Sequence, residues 1–321
     1  MATKEGLLGL RERYIEAEET IYGTAVALTS ALIPGYDIEV TPSNMSQGFQ
    51  EIRNDGNDNR TLDSQYAGPL SLEYDLTYTP TNWRRLKYVF DIDSETGSGP
   101  YTHTLSVGNT LKSYTAEHAL RHSSAPLILK TTGNVTTRFE LNWRKATGPG
   151  REGFIRATES IVAQNYTTPS LQAGSFSVSD DPFRFQHVTW TLAGSEVVEV
   201  NNGAITFEQG ITPSDSRYAS TSLGRTIGSP IPSLFRIRGR VNVNLFDTTY
   251  ADIWELAAAI TGTNTLVFEQ SASNKVTFTF TNVYVDPIPL GATNVDGVNS
   301  VDFVFTAMGV AVVAVDSVAN W

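Results

Sequence analysis

The sequence has no cysteine, which excludes disulfide scaffolds, thiolate nucleophiles and Cys-ligated zinc. Histidine is scarce, at 4 residues, and charged residues make up only 18% of the 321. Long apolar runs are missing too. The best, AMGVAVVAV over 307–315, is about half the roughly 18 residues of a membrane-spanning helix and reads as a buried strand; no membrane association is expected. The opening MATKEGLLGLRERY has charges inside every apolar run, unlike the apolar core of a signal peptide. A soluble protein made and kept in the cytoplasm is expected. The sparse charge is lopsided: 34 acids against 23 bases give −11, which argues against a conventional nucleic-acid-binding surface. It does not argue against a wall that repels DNA.

Signatures of chemistry are also lacking. There is no phosphate-cradling glycine loop, nucleophile elbow or zinc-protease helix. His118 and His122 are four apart, a metal-ligand spacing if helical, but SYTAEHALRHSSAPLILK holds strand-like pieces and no third ligand. DIDSETG from Asp91 and DGNDN from Asp55 have alternating carboxylates. A calcium loop needs Gly at position six and Glu at twelve, where these hold Thr96 and Thr102, or Arg60 and Tyr66. Solvated turns are expected. No catalytic residue, metal or cofactor is assigned, and the chain is not read as an enzyme.

What is abundant is the material of strands and turns: Gly, Pro, Thr, Ser, Asn and Val. Residues 5–19 have roughly helical spacing and predict a helix. Leu70, Leu72, Tyr74, Leu76 and Tyr78 alternate with Ser71, Glu73, Asp75 and Thr77, the period of a half-buried strand. Thr81 then caps a predicted helix, NWRRLKYVF, with Trp83, Leu86 and Phe90 on one face. The same unit recurs: Ile237, Val241, Val243 and Leu245 alternate with polar residues, and Thr248 opens TYADIWELAAAI, with Ile253 and Trp254 on one face. Ile38 lies 32 positions before Leu70, and Ile205 lies 32 before Ile237. FELNWRKATG and VDFVFTAMG read as the matching late strands of two copies.

Between the paired strands each copy has a long polar segment, 41–69 and again QGITPSDSRYASTSLGRTIGSPIP. Loops of that length are usually functional or disordered. They predict projecting arms that order on a neighbour, with Gln50, Arg53, Asp55, Asp58, Arg60, Tyr66, Arg217, Tyr218 and Arg225 as contact candidates. Two basic clusters, Arg84, Arg85 and Lys87 and then Arg236, Arg238 and Arg240, are either solvated faces or partners for a neighbour's acidic arms. The expected layout is an N-terminal arm (1–30), a β-domain (31–168), a linker (169–182) and a second β-domain (183–321).

Several pieces together resemble one family. RYIEAEETIYGTAVA is similar to the Glu-x-Thr-x-Tyr-Gly-Thr opening frequent in tail structural proteins of long-tailed phages and related viruses. SLEYDLTYTPTNWRRLKYVF resembles their strand-then-helix unit. SYTAEHAL, GNVTTRFELNWR and FQHVTWTLAGSEVVEVNNGAITFEQGI resemble tail tube proteins in order and spacing. The resemblance implies a mainly β fold: two tandem β-barrel or β-sandwich domains, each with a short flanking helix and a long projecting loop. It implies a virion protein that partners itself in stacked rings, meets other tail proteins, and lets viral DNA pass through the bore without specific binding. Two domains per chain would make three chains a pseudo-sixfold ring; six chains with decoration domains is the alternative. A negatively charged bore is expected, with Glu73 and Asp75 as candidate lining, although Arg238 and Arg240 occupy the matching places in the second copy. Other readings are a distal or terminator ring protein of the tail, a carbohydrate-binding β-sandwich using Tyr66 and Tyr218, and an all-β hydrolase.

Overall fold

The computed structural model describes residues 12–28, 35–44, 48–51, 60–63, 72–108, 112–120, 127–146, 153–167, 181–197, 200–211, 234–244, 259–260, 262–286, 300–319 and 321. These are mainly strand. In the first half they are β1 (Glu12–Glu18), β2 (Gly35–Asn44), β3 (Gly48–Glu51), β4 (Arg60–Asp63), β5 (Leu72–Pro80), β6 (Asp91–Thr96), β7 (Tyr101–Ser106), β8 (Tyr114–Leu120), β9 (Leu127–Arg144), β10 (Arg156–Ala163) and β11 (Asn165–Thr167). In the second half they are β12 (Val188–Leu192), β13 (Ser195–Glu196), β14 (Val200–Gln209), β15 (Phe235–Asn244), β16 (Asn264–Ser271), β17 (Asn274–Val285) and β18 (Ser300–Asp316). Sixteen of them form one antiparallel sheet that does not close on itself, and β3 with β4 forms a separate two-stranded sheet.

The pairing follows one path twice. In the first half, β1 pairs β8, then β9, β10, β5 and β2 follow in turn. In the second, β12 pairs β16, then β17, β18, β15 and β14 follow. Each strand takes the same place in chain order in its half. The counterpart of β9 is thus β17, not the β18 segment VDFVFTAMG that the sequence pattern matched to it. The equal spacing of 32 is also not an equal register: Val40 faces Leu76, 36 on, while its match Phe207 faces Ile237, 30 on. The halves join where the last part of β9 pairs β14 (Phe139 opposite Phe207) and where β7 pairs the end of β18. The β6–β7 hairpin has no counterpart among the described residues of the second half.

Alternation builds the core. On β5, Leu72, Tyr74, Leu76 and Tyr78 are buried while Glu73, Asp75 and Thr77 are half-exposed, as the period predicts. The run 307–315 lies in β18 but alternates, with Met308 and Val313 exposed, so it is half-buried rather than enclosed. Buried residues of both halves form one cluster. Trp83 packs on Phe183 at 4.8 Å and on Phe268 at 5.3 Å, and Phe207 stacks on Phe278 at 5.3 Å. Two glycines make room for further rings: a Cβ on Gly203 would lie 2.3 Å from the Trp143 ring, and one on Gly239 would lie 2.1 Å from Phe305.

Three expectations change. Over residues 12–18 the chain is a strand, not a helix. Glu16 and Glu18, two apart, reach Arg85 and Lys87, a reach that period two provides. After Trp83 there is only a 3-10 turn, Arg84–Tyr88, and Asn82 rather than Thr81 accepts a bond from the Arg84 N–H at 3.3 Å. Trp83, Leu86 and Phe90 are buried as expected, but so are Arg85, Lys87 and Tyr88, and only Arg84 of the turn is partly exposed. Asp91–Thr96 is an edge strand rather than a turn. The second predicted helix, with Ile253 and Trp254, lies outside the described residues, as does most of the 169–182 linker. Among the described residues no helix is long and apolar enough to cross a membrane.

Candidate functional site: the polar face of the sheet

Residues directly opposite in an antiparallel pair share a face, so the pairing registers define which side chains stand together. Starting from β2, the rows run Thr41–Asp75–Ser160–Arg138–Glu208–Arg236 and Glu39–Thr77–Thr158–Glu140–Thr206–Arg238–Thr306. The third runs Arg156–Asn142–Ala204–Arg240–Val304, and the fourth Arg144–Asn202–Asn242–Asp302. One polar face therefore crosses β2, β5, β10, β9, β14, β15 and β18 without a break, passing from one half to the other at β9 and β14.

Glu73 and Asp75 stand on this face, as the alternation predicts. The expected negative charge does not hold for it. Its carboxylates are Glu39, Glu73, Asp75, Glu140, Glu208 and Asp302, six against the six arginines 138, 144, 156, 236, 238 and 240. The charges are interleaved: Arg138 pairs Glu140, and Arg240 donates to Asp302 at 2.6 Å. Asn242 donates to the other Asp302 oxygen at 2.8 Å. Burial alone would raise the Asp302 carboxyl, but these donors hold it below its ordinary value. At the β17–β18 end the face turns apolar, with Tyr284, Val304 and Met308 exposed.

Two members of the first basic cluster, Arg85 and Lys87, face inward, while Arg84 is partly exposed. Arg85 is 3% exposed and bonds Glu159, itself fully buried, through Nε at 2.6 Å and Nη2 at 2.8 Å. Glu159 also accepts from Tyr78 Oη at 2.8 Å and Thr136 Oγ1 at 3.0 Å. Arg85 pairs Glu16 as well, and lies 5.0 Å from the Tyr114 ring. Lys87 meets Glu18 at 2.7 Å; burial lowers its ammonium to about 8, against the opposing pull of Glu18. These partners belong to β1 and β10 of the same chain, so Arg85 and Lys87 serve the fold and not a neighbour's arm. Beside them, Glu19 accepts from Ser113 Oγ, Thr115 Oγ1 and Gly23 N at 2.8 Å and from Gly133 N at 2.9 Å. Gly23 holds φ +73 there, so the Glu-Glu-Thr-Ile-Tyr-Gly stretch folds a carboxylate-centred turn.

His118 lies on a strand, where the helical spacing to His122 does not apply, and burial pushes its imidazole down to about 4. Of the arm candidates, Gln50 on β3 and Arg60 on β4 belong to the small sheet, where Gln50 faces Thr61 and Arg60 faces Glu51. Arg53, Asp55, Asp58, Tyr66, Arg217, Tyr218 and Arg225 lie outside the described residues. The Arg85–Glu159 centre was not visible in the sequence, since Glu159 lies in an ordinary alternating strand 74 positions away. No protein-family model matches the chain, and no curated protein matches its sequence.

Proposed function

We propose that the protein is a structural, self-assembling tail tube protein of a long-tailed phage or related virus, its chains forming stacked rings around a bore that passes DNA. In this reading the two strand paths are tandem copies of one β-domain. The observation that carries it is the edge-to-edge pairing of β9 with β14, which gives each chain one internal example of the joint a ring needs. β2 takes the place of β14 in its path, and β17 takes the place of β9. The outer edge of β2 pairs with nothing among the described residues. Past Phe280, where pairing with β16 ends, the edge of β17 away from β18 is bridged among the described residues only by Ile260, at Val283. The joint between chains is then β2 of one chain against the end of β17 in the next, beside the exposed Tyr284, Val304 and Met308. Open sheet edges are a liability in a monomer and a template for such pairing.

Three chains would supply six copies and close the ring. The polar face would line the bore, where equal numbers of Arg and carboxylates offer a polyanion no net attraction. The polar segments between β2 and β5 and between β14 and β15 would link one ring to the next. Negative-stain microscopy of the concentrated protein should show rings or hollow rods, with three chains per ring by symmetry-resolved averaging. Six chains per ring would reject the trimer. A protein that stays monomeric at every concentration would overturn the tube reading itself.

A further inference from the structure

Where β9 meets β14, the polar face opens into a cavity of about 720 Å³ with four cationic side chains in its lining: Arg144, Lys145, Arg156 and Arg240. None of the described lining residues is acidic, in a chain whose net charge is −11. The row through it reads Arg156–Asn142–Ala204–Arg240, with an arginine at each end and short residues between. Strands lie about 4.8 Å apart, so the end arginines stand roughly 14 Å apart at the backbone, within reach of a shared anion between them. Arg144 stands one row further along β9, and the Lys145 N–H is fixed to the Asn201 carbonyl at 2.9 Å. Ala204 leaves the space open: a long side chain there would fill it. Two acids border the cavity: Asp302 accepts from Arg240 at 2.6 Å and Glu140 accepts from Asn142 at 2.7 Å, so the four cations still outnumber them.

We propose that this cavity is a binding site for phosphate-class oxyanions, either free phosphate or the backbone phosphates of a nucleic acid. Guanidinium groups present paired donors that match the oxygens of a phosphate. At physiological salt, charges beyond about 8 Å are largely screened, so the local cations outweigh the acidic remainder of the chain. The site does not depend on ring formation.

The test is titration of the whole chain with sodium phosphate, against sodium chloride at matched ionic strength, followed by calorimetry and thermal unfolding. Phosphate should bind saturably and raise the melting temperature where chloride does not. Arg144→Gln with Arg156→Gln should weaken binding at least tenfold, and so should Ala204→Phe, which changes no charge. Arg236→Gln with Arg238→Gln, on the same face but outside the cavity, should leave affinity within twofold. Equal effects of phosphate and chloride would overturn the proposal, as would equal weakening by the 236/238 pair, which would mean diffuse attraction. A single-stranded oligonucleotide that displaces phosphate from the wild type assigns the site to nucleic acid; one that does not assigns it to free phosphate. Because binding is read on unassembled protein, its failure leaves the tube reading to the microscope.

Discussion

Under β5 and β10 the first half encloses Arg85, Glu159 and Glu16 among the rings of Tyr14, Tyr78, Tyr88 and Tyr114. Under β17 and β18 the second half encloses Phe278, Phe280, Phe303, Phe305 and, from β12, Trp190. Both halves run the same strand path, so the path does not require either filling. Antiparallel pairing is set by backbone bonds and by which face is buried, and both cores satisfy that demand. They should differ in how they fail. A hydrophobic core loses stability in proportion to the volume removed, whereas a buried ion centre fails when one partner is lost, whatever the volume.

The sharpest test is Glu159→Gln, which removes almost no volume but takes away the carboxylate that accepts both Arg85 bonds and those of Tyr78 and Thr136, leaving Arg85 with Glu16 alone. It should cost about 3–5 kcal/mol in urea unfolding, as much as the about 3–5 kcal/mol of a Phe→Ala truncation at Phe278. Replacing the centre together, as R85M/E16Q/E159L, should recover most of the loss. A cost below about 1 kcal/mol for Glu159→Gln would dissolve the contrast between the halves.

The next test compares the joint with the interior of a half. Gly203→Ala sets a Cβ 2.3 Å from the Trp143 ring at the β9–β14 join, and Gly239→Ala sets one 2.1 Å from Phe305 inside the second half. Each should cost about 1–3 kcal/mol by overpacking. If thermal unfolding of the Gly203 variant shifts far less, the join yields where the half does not, and the two halves behave as separately mobile units.

Much of the strand content was legible because alternation is local: Leu72 to Tyr78 and Ile237 to Val243 fall where the period puts them. The polar placement of Glu73 and Asp75 follows from the same period. Partner choice was not legible. Matching FELNW to VDFVF paired β9 with β18 because both alternate large apolar residues, and only the register shows that β17 is the counterpart. The 12–18 segment read as a helix because its charges and its apolar Tyr14, Ile15 and Ala17 fit either period, and the deciding contacts, Glu16 to Arg85 and Glu18 to Lys87, lie about 69 positions away. The charge balance of the polar face escaped composition for the same reason: −11 is a sum over the chain, while interleaving is a property of rows across strands.

The smallest expected effect bears on Lys87, a buried cation whose ion pair opens to solvent. Its partner Glu18 is 34% exposed and also lies 3.4 Å from Lys112. Burial lowers the folded ammonium to about 8 from its ordinary 10.5, so between those values the unfolded chain binds more protons. Stability from this group therefore rises as pH climbs through that window, and its penalty is fully present below about 8. Lys87→Met removes the penalty and leaves Glu18 hydrated beside Lys112. The variant should be more stable than wild type by about 1 kcal/mol at pH 7, and the gain should shrink toward zero by pH 10. Urea unfolding at the two pH values reads the difference. A loss at pH 7 as large as that of Glu159→Gln would place Lys87 inside the same indivisible centre as Arg85, and the first half would then have one buried charge network reaching from β10 to the surface at β1.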